Sequence, residues 1–504
     1  MDDEVDSSAI TSPLMCAILV ATASQFLVGY NTSVMNTPEA FVFPGHSTGL
    51  WSLAVAAFAV GGPFGAIAGG KLADQRGRRG ALLVDTWTFL VGGLLQTLAW
   101  NMSTIILSRF IVGFASGFSS VLVPIYLGEV APLKLRGMIG TFTQFALVIG
   151  ILAADLCAFP FAKDWAWRFL FLMTPIVAAA QLLCSPFLLE SPRWLISQGS
   201  ESSLARSVIQ RLRGLEHDHE VDLAIRSLEI LNGRIPNEPN ENQTETLLEM
   251  AQHPQLRSLL LSSLFLQMAQ QLCGINAVFY YSTAFFQGVI HDPLVGTSIV
   301  GAINVLSTLV AVLLMDSCGR RTLLLCSSGG MFLACFAIVM TLLGYFSNVM
   351  ALLFVNVYVI FFAIGLGPIP WLIAAEMFQG KYLAVAMSAC SQLNWACNFI
   401  VGLVFPYLHM HLGPFSFVPF AVVLAVTFLF TLTILPETQG TTPEDFIFEM
   451  VRRNSVRNLT LNQAEDKDGA NMFDPATMEQ LVPDEIHEGH SSVKERVIAG
   501  RELC

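Results

Sequence analysis

Charged side chains are scarce: Asp, Glu, Lys and Arg make up 13% of the 504 residues, against 54% hydrophobic. A chain of this length with so little charge is too apolar to be an ordinary soluble protein. A basic n-region is also missing. Met1 to Ser12 is acidic and polar, so no cleavable signal peptide is read there, and the first apolar segment is expected to stay in the mature protein. The ten cysteines lack paired spacing and lie mostly in apolar stretches, which excludes a disulfide framework or a thiolate metal site and leaves them as small core residues. No glycine-rich phosphate-binding loop and no nucleophile–base arrangement is legible, which argues against an ATP-driven pump and against an enzyme. The formal net charge of −12 comes largely from the ends and one central loop, and gives no reason to expect a nucleic-acid partner. No metal or other cofactor is implied.

What is abundant is long apolar sequence. Runs lie at roughly 13–35, 50–70, 81–100, 105–130, 138–161, 167–189, 256–287, 296–316, 322–345, 349–376, 383–411 and 414–435. Each is long enough, or nearly so, to cross a hydrocarbon core of ~30 Å, so the chain reads as an all-α polytopic membrane protein with about twelve spans. Lys and Arg set its orientation. They gather after the second span (Lys71, Arg76, Arg78, Arg79), after the fourth (Lys134, Arg136), in the central loop, after the eighth (Arg320, Arg321) and in the tail, while the opposite loops hold little beyond Lys163 and Arg168. The positive-inside rule then places both termini in the cytosol.

Polar groups inside the spans carry the functional signal. Gln270-Gln271-Leu272-Cys273-Gly274-Ile275-Asn276 lies within the seventh run and is followed by Phe279-Tyr280-Tyr281. An amide in hydrocarbon costs free energy unless it faces protein or water, so three of them point to a polar cavity, helix-to-helix adhesion being the other use of such groups. Each amide both donates and accepts, which suits a ligand made of hydroxyl groups. Gly274 lets the helix bend. In the tenth run, Gly365-Leu366-Gly367-Pro368-Ile369-Pro370-Trp371 must interrupt a helix, because proline removes a donor and clashes with the preceding turn.

These strings carry a resemblance. QQLCGINAVFYYST closely resembles the seventh transmembrane helix of the facilitative glucose transporters, in the sugar porter family of the major facilitator superfamily. The resemblance implies twelve helices in two pseudo-symmetric halves of six: a cytosolic N-terminus 1–12, a first half 13–189, a cytosolic helical linker 190–255, a second half 256–435 and a cytosolic tail 436–504. It implies hexose as substrate, glucose first with fructose or other hexoses open, carried by alternating access in the plasma membrane. By the family pattern, Gln144, Gln270, Gln271, Asn276, Asn304, Trp371 and Asn394 contact the sugar, while Gly274, Tyr280, Tyr281, Gly365, Pro368 and Pro370 belong to the gates.

Other strings repeat between the halves. Asp74, Arg78 and Arg79 lie in a basic loop that resembles the superfamily's signature, with Glu129, Arg136 and Glu190 following as partners. Arg320 and Arg321 answer Arg78 and Arg79 at 242 positions, and Glu376 and Glu437 answer Glu129 and Glu190 at 247, as two homologous halves require. Lys381 stands where the family usually has an arginine, so the second cluster loses bidentate geometry and is expected to be the weaker.

The coupling position departs from proton-driven relatives. Asn31 stands where proton-coupled sugar porters carry an aspartate that works with an arginine of the fourth span, here Arg109. Asparagine takes up no proton, which implies a uniporter. A proton–sugar symporter and a transport-dead sugar sensor acting through the tail are the alternatives. Ala363 and Gln267-Met268-Ala269 depart from glucose-selective members, so other hexoses stay open. Asp85 and Asp155 lie within spans but near their ends, where snorkelling or a local partner is expected and proton carrying is the alternative.

Overall fold

The computed structural model describes residues 10–132, 135–198, 203–215, 217–231, 247–287, 290–378 and 380–438. The segment Asn232 to Gln243 and the tail from 439 onward lie outside the described residues, as do the side chains of Arg136 and Lys381. Among the described residues the regular structure is helical, with no strand. Helices follow from the long apolar runs, because only a helix satisfies every backbone group within its own segment in hydrocarbon.

The first half comprises α1 (Ser12–Ser33), α2 (Thr48–Thr97), α3 (Met102–Val130), α4 (Arg136–Phe161) and α5 (Trp167–Cys184). Short helices follow: α6 (Pro192–Gln198), α7 (Ser203–Arg213), α8 (Asp218–Leu231) and α9 (Leu247–Gln252). The second half comprises α10 (Pro254–Leu272), α11 (Ile275–Phe286), α12 (Pro293–Ser317), α13 (Arg320–Leu342), α14 (Asn348–Ile364), α15 (Ile369–Met377), α16 (Gly380–Leu412) and α17 (Val418–Thr433). Several starts are capped by side chains. Asn101 accepts from the Thr104 amide at 2.8 Å and Asp292 from the Leu294 amide at 3.0 Å, satisfying donors that a helix start leaves over.

Among the described residues, ten segments are long and apolar enough to cross a membrane, and two of them, Thr48–Thr97 and Val385–Thr433, run 50 and 49 residues. At ~1.5 Å per residue, either is more than twice a ~30 Å core. Each reverses once, the first at Gly77 (φ 81, ψ 165) and the second at a 3₁₀ turn beginning with Gly413 (φ 50). Counting each as two gives twelve crossings. The loop read over Gly70–Arg79 is therefore helical on both sides of a single glycine, and a Cβ on Gly77 would lie 2.4 Å from a Glu190 carboxylate oxygen.

Large apolar side chains on the outside of the bundle, such as Leu183, Leu313 and Leu333, are mostly exposed, as a lipid-facing surface requires. Inside, close approach replaces bulk. On α1 and α4, a Cβ at Gly29 would come within 1.8 Å of the Leu147 carbonyl and one at Gly150 within 2.1 Å of the Phe26 carbonyl, so these backbones touch. The halves meet along α2 and α16, where Gln392 Nε2 donates to the Pro63 carbonyl at 3.2 Å and Trp395 packs edge-on against Phe58. They also meet where Gly301 of α12 abuts Asp155 of α4. Helix α7 buries Ala205, Val208, Ile209 and Leu212 and is tied to α1 by Thr11 Oγ1, which donates to the Leu212 carbonyl at 2.8 Å.

Candidate functional site

The seventh span breaks where its sequence provides glycine. Gly274 takes a left-handed conformation (φ 92, ψ 11) between α10 and α11, and a Cβ there would run into the Phe420 ring at 2.4 Å. The tenth span breaks over Gly365–Pro368, between α14 and α15. Breaks free backbone groups that have no water to bind, and side chains take them up. Ser327 Oγ accepts from the Leu366 amide at 3.0 Å, Gln270 Nε2 donates to the Gly367 carbonyl, and Tyr358 Oη donates to the Cys273 carbonyl.

Between the two breaks lies an amide cluster. Gln271 Nε2 donates to Asn394 Oδ1 at 3.0 Å, and Asn276 Nδ2 donates to Gln271 Oε1. Asn394 Nδ2 in turn donates to Gln267 Oε1 at 2.7 Å and to Gln270 Oε1 at 2.6 Å. All five side chains are buried. Four of the seven expected sugar-contacting residues, Gln270, Gln271, Asn276 and Asn394, are thus joined directly. Asn304 is buried on α12, while Gln144 on α4 and Trp371 on α15 are half-buried, and none of these three side chains is bonded into the cluster. Gln267, which sequence reading had set aside as a selectivity marker, is a full member.

The gate aromatics point to further residues. Tyr280 Oη donates to Asn398 Oδ1 at 2.9 Å and Tyr281 Oη to the Gly402 carbonyl at 2.7 Å. Asn398 lies one turn beyond Asn394 on the same face of α16, a spacing that could have marked it in the sequence. The halves are latched beyond this point: Asn36 Nδ2 donates to Ser282 Oγ at 2.7 Å, and the Thr283 amide donates to Asn36 Oδ1 at 3.0 Å.

At the other end of the bundle the charged motifs form two matching clusters. Arg78 grips Glu129 with two bonds of 2.8 and 2.9 Å, reaches Asp74 at 3.1 Å and donates to the Ala73 carbonyl at 2.9 Å. Glu190 accepts the backbone amides of Arg78 and Arg79 at 2.8 and 3.1 Å, a carboxylate seated on a helix start. The second half repeats this set. Arg320 meets Glu376 at 3.2 and 3.3 Å and donates to the Met315 carbonyl at 2.9 Å, and Glu437 accepts the Arg321 amide at 3.2 Å. Arg320 uses one carboxylate oxygen only, and Glu376 Oε2 is buried without a partner.

Arg109 is fully buried. Its Nη1 donates to the Asn31 carbonyl at 2.7 Å and its guanidinium lies 4.5 Å from the Phe58 ring centre, while Nε and Nη2 have no partner. The Asn31 side chain turns elsewhere, donating to the Leu27 carbonyl at 2.9 Å and to Thr174 Oγ1 at 3.1 Å. Asp85 and Asp155 do not snorkel. Both are buried beside a hydroxyl, Ser119 at 2.7 Å and Ser33 at 2.5 Å respectively, because helix packing gives each a donor nearer than the headgroups.

Twelve crossings in two matching halves, broken helices facing one another and a neutral amide cluster between them define a polytopic membrane transporter. The family model "Sugar (and other) transporter" matches residues 16–447. Facilitated glucose transporter member 3 of solute carrier family 2 from Ovis aries is 37% identical over 467 residues, covering 87% of this chain and 93% of that protein. The partially occluded inward-open structure of the xylose transporter XylE from E. coli superposes with a TM-score of 0.73 at 25% identity, covering 86% of this chain and 100% of that one. XylE bound to 6-bromo-6-deoxy-D-glucose, described as a proton:xylose symporter, gives 0.68 at 25% identity, covering 86% and 98%. The chain belongs to the sugar transporter family.

Proposed function

We propose that this protein carries hexose down its concentration gradient, without ATP, metal or coupled ion, by alternating access. The buried amide cluster between two broken helices carries the reading. Uncharged amides match the hydroxyls of a neutral sugar in kind, since both donate and accept. They sit where α10–α11 and α14–α15 can bend to open and close around it. Gln144, Asn304 and Trp371 complete the ring of contacts once the helices rearrange. Glucose is the first substrate, as the name of the Ovis aries relative suggests. Ala363, which is buried and apolar, leaves fructose and other hexoses as substrates as well.

The paired clusters around Arg78 and Arg320 hold the helix ends on the cytosolic side, with both termini in the cytosol of a plasma-membrane protein. The Asn36 latch then closes the exterior, and rocking of 13–189 against 256–435 exposes the amides to each side in turn. Proton symport is disfavoured by Asn31, which holds no titratable proton, and by the missing carboxylate beside Arg109.

Purified protein in proteoliposomes tests the reading with a radiolabelled panel of hexoses and pentoses. Uptake should rise to equality with the external concentration and stop, with or without an imposed pH gradient. Accumulation above that level when the outside is acidic would establish a symporter. Hexose binding without flux would establish a sensor.

A further inference from the structure

A cleft of about 160 Å³ lies between the halves on the Asn36 side of the gate, with Glu39, Thr48 and Trp51 on one wall and Tyr281, Phe405 and His409 on the other. Its chemistry differs from that of the amide cluster. Trp51 is 1% exposed, yet its indole Nε1–H has no partner, and an unmet buried donor costs about 1–3 kcal/mol. The ring is held in place. His46 stacks on it at 5.2 Å and 14°, and His46 Nε2 lies 3.1 Å from the Glu39 carbonyl, so one imidazole fixes both the indole and the segment bearing the carboxylate. Glu39 is half-buried, and burial holds its carboxyl above the usual glutamate range, with His46 opposing.

An unpaired donor, a carboxylate acceptor and aromatic walls form the set that recognises a sugar. The flat rings take its C–H face, the carboxylate takes hydroxyl protons and the indole N–H meets a ring or hydroxyl oxygen. A metal ion does not fit, since no group of three His, Cys, Asp or Glu able to hold one occurs among the described residues. The cleft also adjoins the gate. Tyr281, on its wall, neighbours Tyr280, which binds Asn398 one turn from Asn394 of the amide cluster. We propose that this cleft is a second hexose site, a waiting position outside the closed gate from which sugar passes to the amides when Tyr281 swings away. Trp51 and Glu39 contact the sugar, and His46 is a positioning residue. The inference rests on the reading of the chain as a hexose carrier.

A photoreactive diazirinyl hexose, applied to the full chain in lipid nanodiscs and mapped by mass spectrometry, tests it. Label should appear on peptides covering 39–51 or 405–409 as well as 270–276, and excess free hexose should remove both. Trp51→Phe keeps the ring and loses the N–H, and Glu39→Ala loses the carboxylate. Each should lower cleft labelling by about fivefold or more and leave labelling at 270–276 in place, which also shows that the variant is folded. Label at 270–276 alone, or cleft label indifferent to both substitutions, overturns the second site and leaves the carrier reading standing. Label at neither place overturns both.

Discussion

Replacing Asn36 by Ala removes the two hydrogen bonds that latch the turn after α1 to α11, Asn36 Nδ2 to Ser282 Oγ at 2.7 Å and the Thr283 amide to Asn36 Oδ1 at 3.0 Å. Ser282 Oγ keeps Thr297 Oγ1 at 3.3 Å, and the Thr283 amide lies inside α11, where the carbonyl one turn back is its ordinary acceptor, so neither is left bare. The net value of a hydrogen bond, about 0.5–1.5 kcal/mol, therefore applies to each, rather than the larger penalty of an orphaned group. Both bonds join the two halves, so both vanish when this end opens. Their loss shifts the equilibrium toward the open form by about 1–3 kcal/mol, or roughly 5–150-fold. Spin labels on Ala40 and Met410, both exposed, in a cysteine-depleted background would report the distance across the mouth by double electron–electron resonance. The long-distance population should grow in Asn36→Ala, and Asn36→Asp, which keeps an acceptor, should give a smaller shift. An unchanged distance distribution would refute the latch.

Four further outcomes are expected. Gln271→Ala should weaken equilibrium hexose binding by about 1–3 kcal/mol, the cost of a sugar hydroxyl left without its partner; unchanged affinity in a folded variant removes Gln271 from the site. Glu129→Gln should slow exchange while leaving binding nearly intact, and Glu376→Gln should slow it less, because Arg78 makes two short bonds where Arg320 makes longer ones to a single oxygen; equal slowing in proteoliposome exchange would deny the difference. Asn31→Asp should slow exchange and make it pH-dependent, since a carboxylate beside buried Arg109 forms an ion pair that must be protonated or broken as the helices move; a flat pH profile counts against that. Hexose labelling of the cleft should fall as external pH is lowered, beginning above the ordinary glutamate value of about 4.3, because burial raises the Glu39 pKa and protonation replaces a charged acceptor with a weaker neutral one. Glu39→Gln should abolish that step while leaving any contribution from the imidazoles of His46 and His409, and a step that survives the change assigns the effect to them.

The parts of this fold that were legible in the sequence are those where hydrocarbon imposes a cost. Gln270, Gln271 and Asn276 stand out because an amide at that depth needs a partner, and Gly365-Leu366-Gly367-Pro368-Ile369-Pro370 because glycines and prolines packed so closely together weaken a helix where a lone proline need not. The repeat of Arg78 and Glu129 as Arg320 and Glu376 is visible because both halves solve the same problem at the same helix ends. Asn36 was not legible, since a polar residue near the end of a span is ordinary there and its partner lies 246 positions away. The turn at Gly77 read as a loop, because glycines and charges look alike whether ten residues leave the helix or one does. Asp85 and Asp155 looked close enough to span ends to reach water, and only the packing of α1 and α3 beside them reveals Ser33 and Ser119 as nearer donors. Trp51 is one apolar residue among many until its N–H is seen to lack a partner.

As the proposed sugar site, the amide cluster would also let a carrier of this design bind its sugar without trapping it. Gln267, Gln270, Gln271, Asn276 and Asn394 already bond to one another, so an arriving hexose exchanges bonds rather than adding them. Each exchange yields a small net gain, of the order of 1 kcal/mol or less, where a cluster of bare donors and acceptors would yield several. The empty site in turn bears no large penalty for unmet polar groups, which lets the protein return across the membrane unloaded. Uniport needs both properties, because net flux requires release on the far side and an empty return. Gln267 Nε2 is buried without a partner, which makes it a donor with much to gain from a hydroxyl and an early contact for a hexose as the cluster opens.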